Sequence, residues 1–470
     1  MFRITSVDYM NLEAMYLFLQ QQQLDIRISN DARFMDQKCT PDVISTVAEC
    51  IQNYESDIFC VKDIWRSEFA SKTVVRFFQK PIPTDEGSSS EYDKFFGQPI
   101  KMLSYAGILK LVPEHKGRST YYKIHNQELL DYIAVRDRNA YDFLVIYLTQ
   151  VLSQSNILGL FDDFFVAQDS SGYDRLKSGF ERYIIQHTPI NTEVEVRRIF
   201  TKILNPLAVE QNKAGTRGGR YSKDNIRYEE LLYNRLNFRD LNKPKDMPRN
   251  LFLEQQPAII DQEIYRIDKA KRQVKRYQGT ASEVHPNLVG EANHAHHIFP
   301  QSHYIELSDT LENLIVLTAE EHFEFAHRKS STSIISPGYQ MICLLSKIGS
   351  IKKSLRKNDN FYSLLTYSNM LKVGLDTTEL PKLKSISEQA ANDFILFIAD
   401  YYLNAIGSNP YKIDYSNFIT ISDRLYQTNS LIIPEAFRAE INNLFGEEVI
   451  KDVHLGTRHT LNIIAELAVQ

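Results

Sequence analysis

"HHIFPQSHYIELSDTLENLIVLTAEEHFEFAHRK" occupies residues 296–329 and carries the densest chemical pattern in the chain. It is preceded by a further histidine, His294, so three imidazoles fall within four residues of a sequence that holds 12 histidines in all. A short apolar strand around Ala295–Phe299 ends at Pro300, whose missing N–H removes a ladder hydrogen bond. A polar loop follows, and "NLIVLT" (313–318) reads as a second strand rich in β-branched residues. "AEEHFEFAHRK" (319–329) holds good helix formers, and Thr318 with Glu321 three residues later forms a capping-box signature ahead of it. The order strand, loop, strand, helix predicts a compact ββα unit.

Geometry decides which groups in that unit can meet. Neighbours on a regular strand point to opposite sides, so His296 and His297 share a site only if the strand end is kinked near Pro300. Asn313 begins the returning strand, and His322 sits in the first turns of the helix. A divalent metal needs protein ligands that leave positions open for water and a phosphate oxygen. Phosphodiester hydrolysis also needs a base of near-neutral pKa, which imidazole supplies, and an amide such as Asn313 could hold that imidazole in one orientation.

This layout resembles the HNH, or ββα-metal, nuclease family over residues 293–329: adjacent His296-His297, "IFP", Asn313-Leu314, and His322 after them. The resemblance implies that His296 and His322 bind one divalent metal, Mg²⁺ or an ion such as Mn²⁺. It further implies that His297 is the general base and that Asn313 orients it. Where some members carry a second helix histidine, this chain has Ala326, with His327 one position later. On an α-helix that offset turns His327 away from His322. His294 and His303 read as substrate contacts or surface residues.

Outward from the motif, "IDQEIYRIDKAKRQVKRYQGT" (260–280) predicts a basic helix ending at Gly279. Before it, "NKAGTRGGRYSKDNIRYEELLYNRLNF" (212–238) reads as a Gly-rich basic loop with Arg217 and Arg220 among Tyr221, Tyr228, Tyr233 and Phe238. Such a loop could grip phosphates and stack on bases, or be a solvated surface. Residues 136–208 are helical in pattern and predict a scaffold.

Nearer the start, "TPDVISTVAECIQNY" (40–54) predicts a helix capped by Thr40 with Pro41 in its first turn. Helical segments are also expected in "VKDIWRSEF", in "SKTVVRFFQK" with Ser71 as its cap, and in "SEYDKFFGQPIKMLSYAGIL" with a break near Gly97-Gln98-Pro99. "LKLVPEHKGRSTYYKI" (109–124) is a hairpin signal. Helices followed by a basic-tipped hairpin suggest a winged helix, with Arg66, Lys72, Arg76, Lys116 and Arg118 on or near DNA.

Composition places limits on the rest. The chain has 470 residues, 43% hydrophobic and 24% charged, with net charge -5, so no overall basicity advertises nucleic-acid binding. No apolar run is long enough for a membrane span and the start lacks a signal-peptide layout, so a cytoplasmic protein is expected. Cys39, Cys50, Cys60 and Cys343 show no Cys-x-x-Cys pairing and read as buried structural thiols.

The expected fold is mainly α (α+β). It has an N-terminal domain (1–135), a helical scaffold (136–280), the ββα module (281–335) and a C-terminal helical domain (336–470). With the family resemblance, this organisation looks like a type II restriction endonuclease acting on double-stranded DNA as a homodimer. A cognate DNA methyltransferase would act separately. Homing-type or modification-dependent nucleases, and a winged-helix regulator with an inactive module, are the competing expectations.

Overall fold

The structure is a computed structural model and describes residues 9–78, 80–83, 85, 87–114, 119–233, 257–284, 291–319, 321–326, 337–383 and 385–408. Its elements are mainly helical with small antiparallel sheets. The chain divides into two compact units, with the boundary between Tyr265 and Arg266.

The first unit opens with α1 (Tyr9–Gln20) and α2 (Ile26–Ser29), followed by α3 (Pro41–Gln52). The start of α3 follows the sequence pattern: Thr40 is extended, Pro41 sits in the first turn and Asp42 complements the helix dipole. Thr40 makes no side-chain cap to the helix; its hydroxyl donates to Asp42 Oδ1 at 2.7 Å. Every residue from Pro41 to Ile51 is buried, so the polar ones need internal donors. Asp42 also accepts the Tyr233 N–H at 2.9 Å, and Glu49 accepts the Tyr265 hydroxyl at 2.9 Å.

Around α3 lie β1 (Ile58–Cys60), α4 (Val61–Arg66), α5 (Glu68–Phe78), α6 (Ser89–Tyr105), β2 (Leu109–Leu111) and β3 (Tyr121–Ile124). The predicted hairpin is present, with Leu109 opposite Ile124, and β1 adds a third strand in the order β1-β3-β2. Two helix expectations are corrected. Helix α5 begins ahead of Ser71, because Ser67 Oγ accepts the Ala70 N–H at 3.2 Å and supplies the cap. Helix α6 runs unbroken through Pro99. Its buried Phe95, Phe96, Ile100 and Leu103 offset the hydrogen bond that proline removes.

The scaffold follows as α7 (Gln127–Val135), α8 (Asp137–Gln154), α9 (Leu158–Ala167), α10 (Ser170–His187) and α11 (Glu193–Glu210). Residues 212–225 are not an open Gly-rich loop. They form a tight antiparallel hairpin, β4 (Ala214–Arg217) and β5 (Arg220–Asn225), turned by Gly218 and Gly219 at φ 60° and 76°. Both glycines occupy the left-handed region that a two-residue hairpin turn requires. The Asn205 carboxamide clamps this hairpin from α11, accepting the Thr216 N–H at 2.9 Å and donating to the Thr216 carbonyl at 3.0 Å.

The second unit takes up the chain within α12 (Pro257–Gln278), which ends at Gly279 with φ 76°. Strands β6 (His294–His297) and β7 (Leu314–Leu317) form the predicted antiparallel pair. A single π-helical stretch, Glu321–Ala326, follows, then α13 (Pro337–Lys357), α14 (Leu364–Gly374) and α15 (Glu388–Ser408).

The second unit fixes β7 through a buried charge. Glu283 donates its N–H to the Val316 carbonyl at 3.0 Å, and its Oε1 accepts the Val316 N–H at 2.9 Å. Its other oxygen accepts from Lys347 Nζ at 2.6 Å and Ser350 Oγ at 2.5 Å, both on α13. Both ionic side chains are fully buried, and Lys347 Nζ also donates to the Tyr362 hydroxyl at 3.0 Å. All four cysteines are buried and unbridged, as expected of structural thiols. No single helix among the described residues is long and apolar enough to cross a membrane.

Candidate active site

The ββ pairing runs unbroken through the histidines: His294 faces Leu317, Ala295 faces Val316, His296 faces Ile315 and His297 faces Leu314. No kink intervenes, so alternation puts His294 and His296 on one face of β6 and His297 on the other. The expectation that Pro300 bends both neighbours to the same side is therefore corrected; the strand stays regular to its last residue.

On the first face, His322 reaches back from the π-helical stretch. Its ring lies 5.4 Å from that of His296, edge on, and 5.1 Å from that of His294, nearly parallel at 19°. The turn that carries His322 is set as the sequence signature predicts. Glu321 Oε2 accepts the Thr318 N–H at 2.7 Å, and Thr318 Oγ1 accepts the Glu321 N–H at 3.2 Å. Glu321 Oε1 takes the Ser282 hydroxyl at 2.9 Å, which completes this buried carboxylate. His327 lies outside the described residues.

His296 is 3% exposed, and His296 Nε2 and His322 Nδ1 both lie out of solvent. Two imidazoles meeting edge to face at this spacing suit a shared divalent ion with open positions for water and phosphate oxygens. Among the described residues no group of three or more His, Cys, Asp or Glu side chains is arranged to hold a metal. Imidazole donors fit Mn²⁺, Ni²⁺ or Zn²⁺ better than the oxygen-seeking Mg²⁺.

On the second face, His297 Nε2–H donates to the Ser308 carbonyl at 2.9 Å. A carbonyl only accepts, so the proton sits on Nε2 and Nδ1 is the basic nitrogen. Burial pulls the His297 pKa down to about 4, against the opposing effect of the Ser308 carbonyl, with Lys271 adding to the lowering. The imidazole is held neutral, the form that can accept a proton.

Asn313 is fully buried, and its carboxamide bonds to the backbone of the following loop rather than to His297. Its Oδ1 accepts the Phe299 N–H at 2.8 Å, and its Nδ2 donates to the carbonyls of Phe299 (3.1 Å) and Leu307 (3.0 Å). It pins both ends of the 299–307 loop and so fixes Ser308, which in turn holds His297. The sequence reading assigned the orienting bond to Asn313 directly; Ser308 is the residue it missed. A backbone carbonyl carries no side-chain signature, so only the loop's position could have revealed it. The loop is further seated by Gln340 Nε2, which donates to the Ile298 carbonyl at 2.8 Å, and by Phe299 against Gly374, where an added Cβ would lie 2.4 Å from the ring.

The residues proposed to touch DNA fare unevenly. Arg76 is exposed on α5, and Arg66 is exposed with its guanidinium 5.2 Å from the Trp65 ring. Lys72 pairs with Glu68. Lys116, Arg118 and Phe238 lie outside the described residues. Arg217 is engaged by its own unit: it binds both oxygens of Glu230 at 2.8 Å and donates to the Asn225 carbonyl at 2.8 Å. Arg220, across the turn, is exposed. The aromatic residues expected to stack on bases pack inward instead. Tyr221 lies against Phe164 and Tyr173, Tyr228 edge on to Tyr141, and Tyr233 against Phe78 and Phe95. Partly buried, they pack against the first unit's own hydrophobic core.

The chain matches no protein-family model, no curated protein and no solved structure. The chemistry of the residues themselves therefore carries the functional reading.

Proposed function

We propose that this chain is an HNH-type, metal-dependent endonuclease that cuts double-stranded DNA. The observation that carries this reading is the meeting of His296 and His322 at 5.4 Å, next to His297, whose imidazole burial keeps neutral and the Ser308 carbonyl anchors. A divalent ion held by His296 and His322 would stabilise negative charge on the scissile phosphate and on the leaving oxygen. Strand β6 presents His297 on the face opposite the His296–His322 pair, so this mechanism requires the strand end to turn on binding DNA. His297 Nδ1 then takes the proton of the attacking water, the water oxygen bonds to phosphorus and the P–O3′ bond breaks. The leaving 3′-oxygen takes a proton from solvent, giving a 5′-phosphate and a 3′-hydroxyl, and the imidazolium then returns its proton to solvent. Asn313 acts as a positioning residue through the 299–308 loop.

Site specificity and a restriction role belong to the same proposal. In the first unit, α3–α6 with the β1-β3-β2 sheet are arranged in the element order of a winged helix, which supports a DNA-reading role for this unit. One ββα site cuts one strand, so a homodimer matches a duplex target, and a separate methyltransferase would protect host sites.

The competing reading is a winged-helix DNA-binding regulator with an inactive ββα module, which the helix-and-hairpin order of the first unit also suits. Incubating the purified full chain with phage DNA and Mg²⁺ or Mn²⁺ separates the two. Discrete fragments that vanish with EDTA and with His297→Ala support the nuclease. Retarded but intact DNA under every metal condition sinks it.

A further inference from the structure

His322 projects from a π-helical stretch rather than a regular α-helix, and the rings around it help to set its aim. Two neighbours do so from different elements. His294 lies nearly parallel to it, with centroids 5.1 Å apart, and Phe323 stands edge on at 4.8 Å. His294 and Phe323 are themselves edge to face at 5.3 Å, which closes the bracket. Because His294 and His296 are two apart on β6, they share a face, and the bracketed His322 is presented to His296.

We infer that His294 is a positioning residue whose flat ring, rather than its nitrogens, holds the His322 imidazole toward His296. This assignment rests on the metal-site reading above. It gives the first histidine of the triplet a task that its place outside the adjacent pair conceals. Offset and edge-to-face ring pairs are favoured by the aromatic quadrupole, and groups that orient a metal ligand tune affinity without touching the ion.

The test is Mn²⁺ binding to the metal-free full chain, read from the electron paramagnetic resonance of free Mn²⁺, with circular dichroism verifying the fold of each variant. His294→Ala should weaken binding about tenfold, and His294→Phe, which keeps the ring and loses the nitrogens, should restore it to within about threefold of wild type. Wild-type affinity in His294→Ala overturns the inference, as does a His294→Phe variant as weak as His294→Ala. If His322→Ala binds Mn²⁺ as wild type does, the metal-site reading falls and the bracket with it. His322-dependent binding that ignores His294 sinks the bracket alone.

Discussion

The Ser308 carbonyl oxygen lies 2.9 Å from His297 Nε2, and this bond joins the proposed base to a loop that Asn313 pins at both ends. The neutral imidazole is thus part of the folded structure as well as of the proposed chemistry, and the protonation of His297 is coupled to stability.

That coupling has a definite sign. Burial depresses the folded His297 pKa to about 4, from an ordinary value near 6.5. Between these values the unfolded chain binds the proton and the folded chain does not, so stability rises with pH across that window. The contribution is fully present above pH 6.5 and is lost as pH falls toward 4, amounting to about 3 kcal/mol at most. Urea titrations of the metal-free chain at pH 5 and pH 7.5 should show this loss. His297→Gln, which cannot titrate, should show a smaller difference between the two pH values. Equal differences in the two proteins would refute the coupling.

Asn313→Ala removes three buried hydrogen bonds at once and strands the Phe299 N–H. The expected destabilisation is about 2–4 kcal/mol by denaturant melting. Since Ser308 then loses its anchor, the pH 5 to pH 7.5 difference of the preceding experiment should shrink as well. A merely structural role elsewhere in the unit would lower stability equally at both pH values.

Much of this was legible in the sequence, for identifiable reasons. Thr40-Pro41 and Thr318 with Glu321 marked helix starts because local backbone chemistry sets them. The 109–124 hairpin follows from alternation, and β7 from its apolar, β-branched run. Strand β1 is only Ile58–Cys60, too short to display a period, and its pairing with β3 is decided at long range. The inward packing of Tyr221, Tyr228 and Tyr233 was hidden for a similar reason, since an aromatic beside arginines reads the same whether its partner is a base or a distant Phe. Asn313 was recognised as important, but its partners are backbone groups that no residue pattern announces.

The Glu283–Lys347 pair offers a stability test independent of catalysis. Burial lowers the Lys347 pKa, and Glu283 opposes that lowering. Lys347→Met leaves a fully buried carboxylate without its cation, so a loss of about 3–5 kcal/mol is expected. The double variant Glu283→Gln with Lys347→Met keeps an acceptor for the Val316 N–H and removes both charges. It should recover most of the loss, as a double-mutant cycle would quantify. A double variant no more stable than Lys347→Met would show that the charge pair itself holds β7 in place.

Arg217 and Arg220 flank one turn yet should behave oppositely. Arg217 holds Glu230 and the Asn225 carbonyl, so Arg217→Ala takes the guanidinium away from a half-buried carboxylate and should cost about 1–3 kcal/mol of stability. The exposed Arg220 has its charge available to a phosphate. Arg220→Ala should leave melting unchanged while reducing the slope of log affinity against log salt for DNA by about one, measured in EDTA. Arg217→Ala should show no such change in slope under conditions where it remains folded. An unchanged slope in Arg220→Ala would remove this hairpin from the DNA-facing surface and leave the exposed arginines of α4 and α5 as the residues to test next.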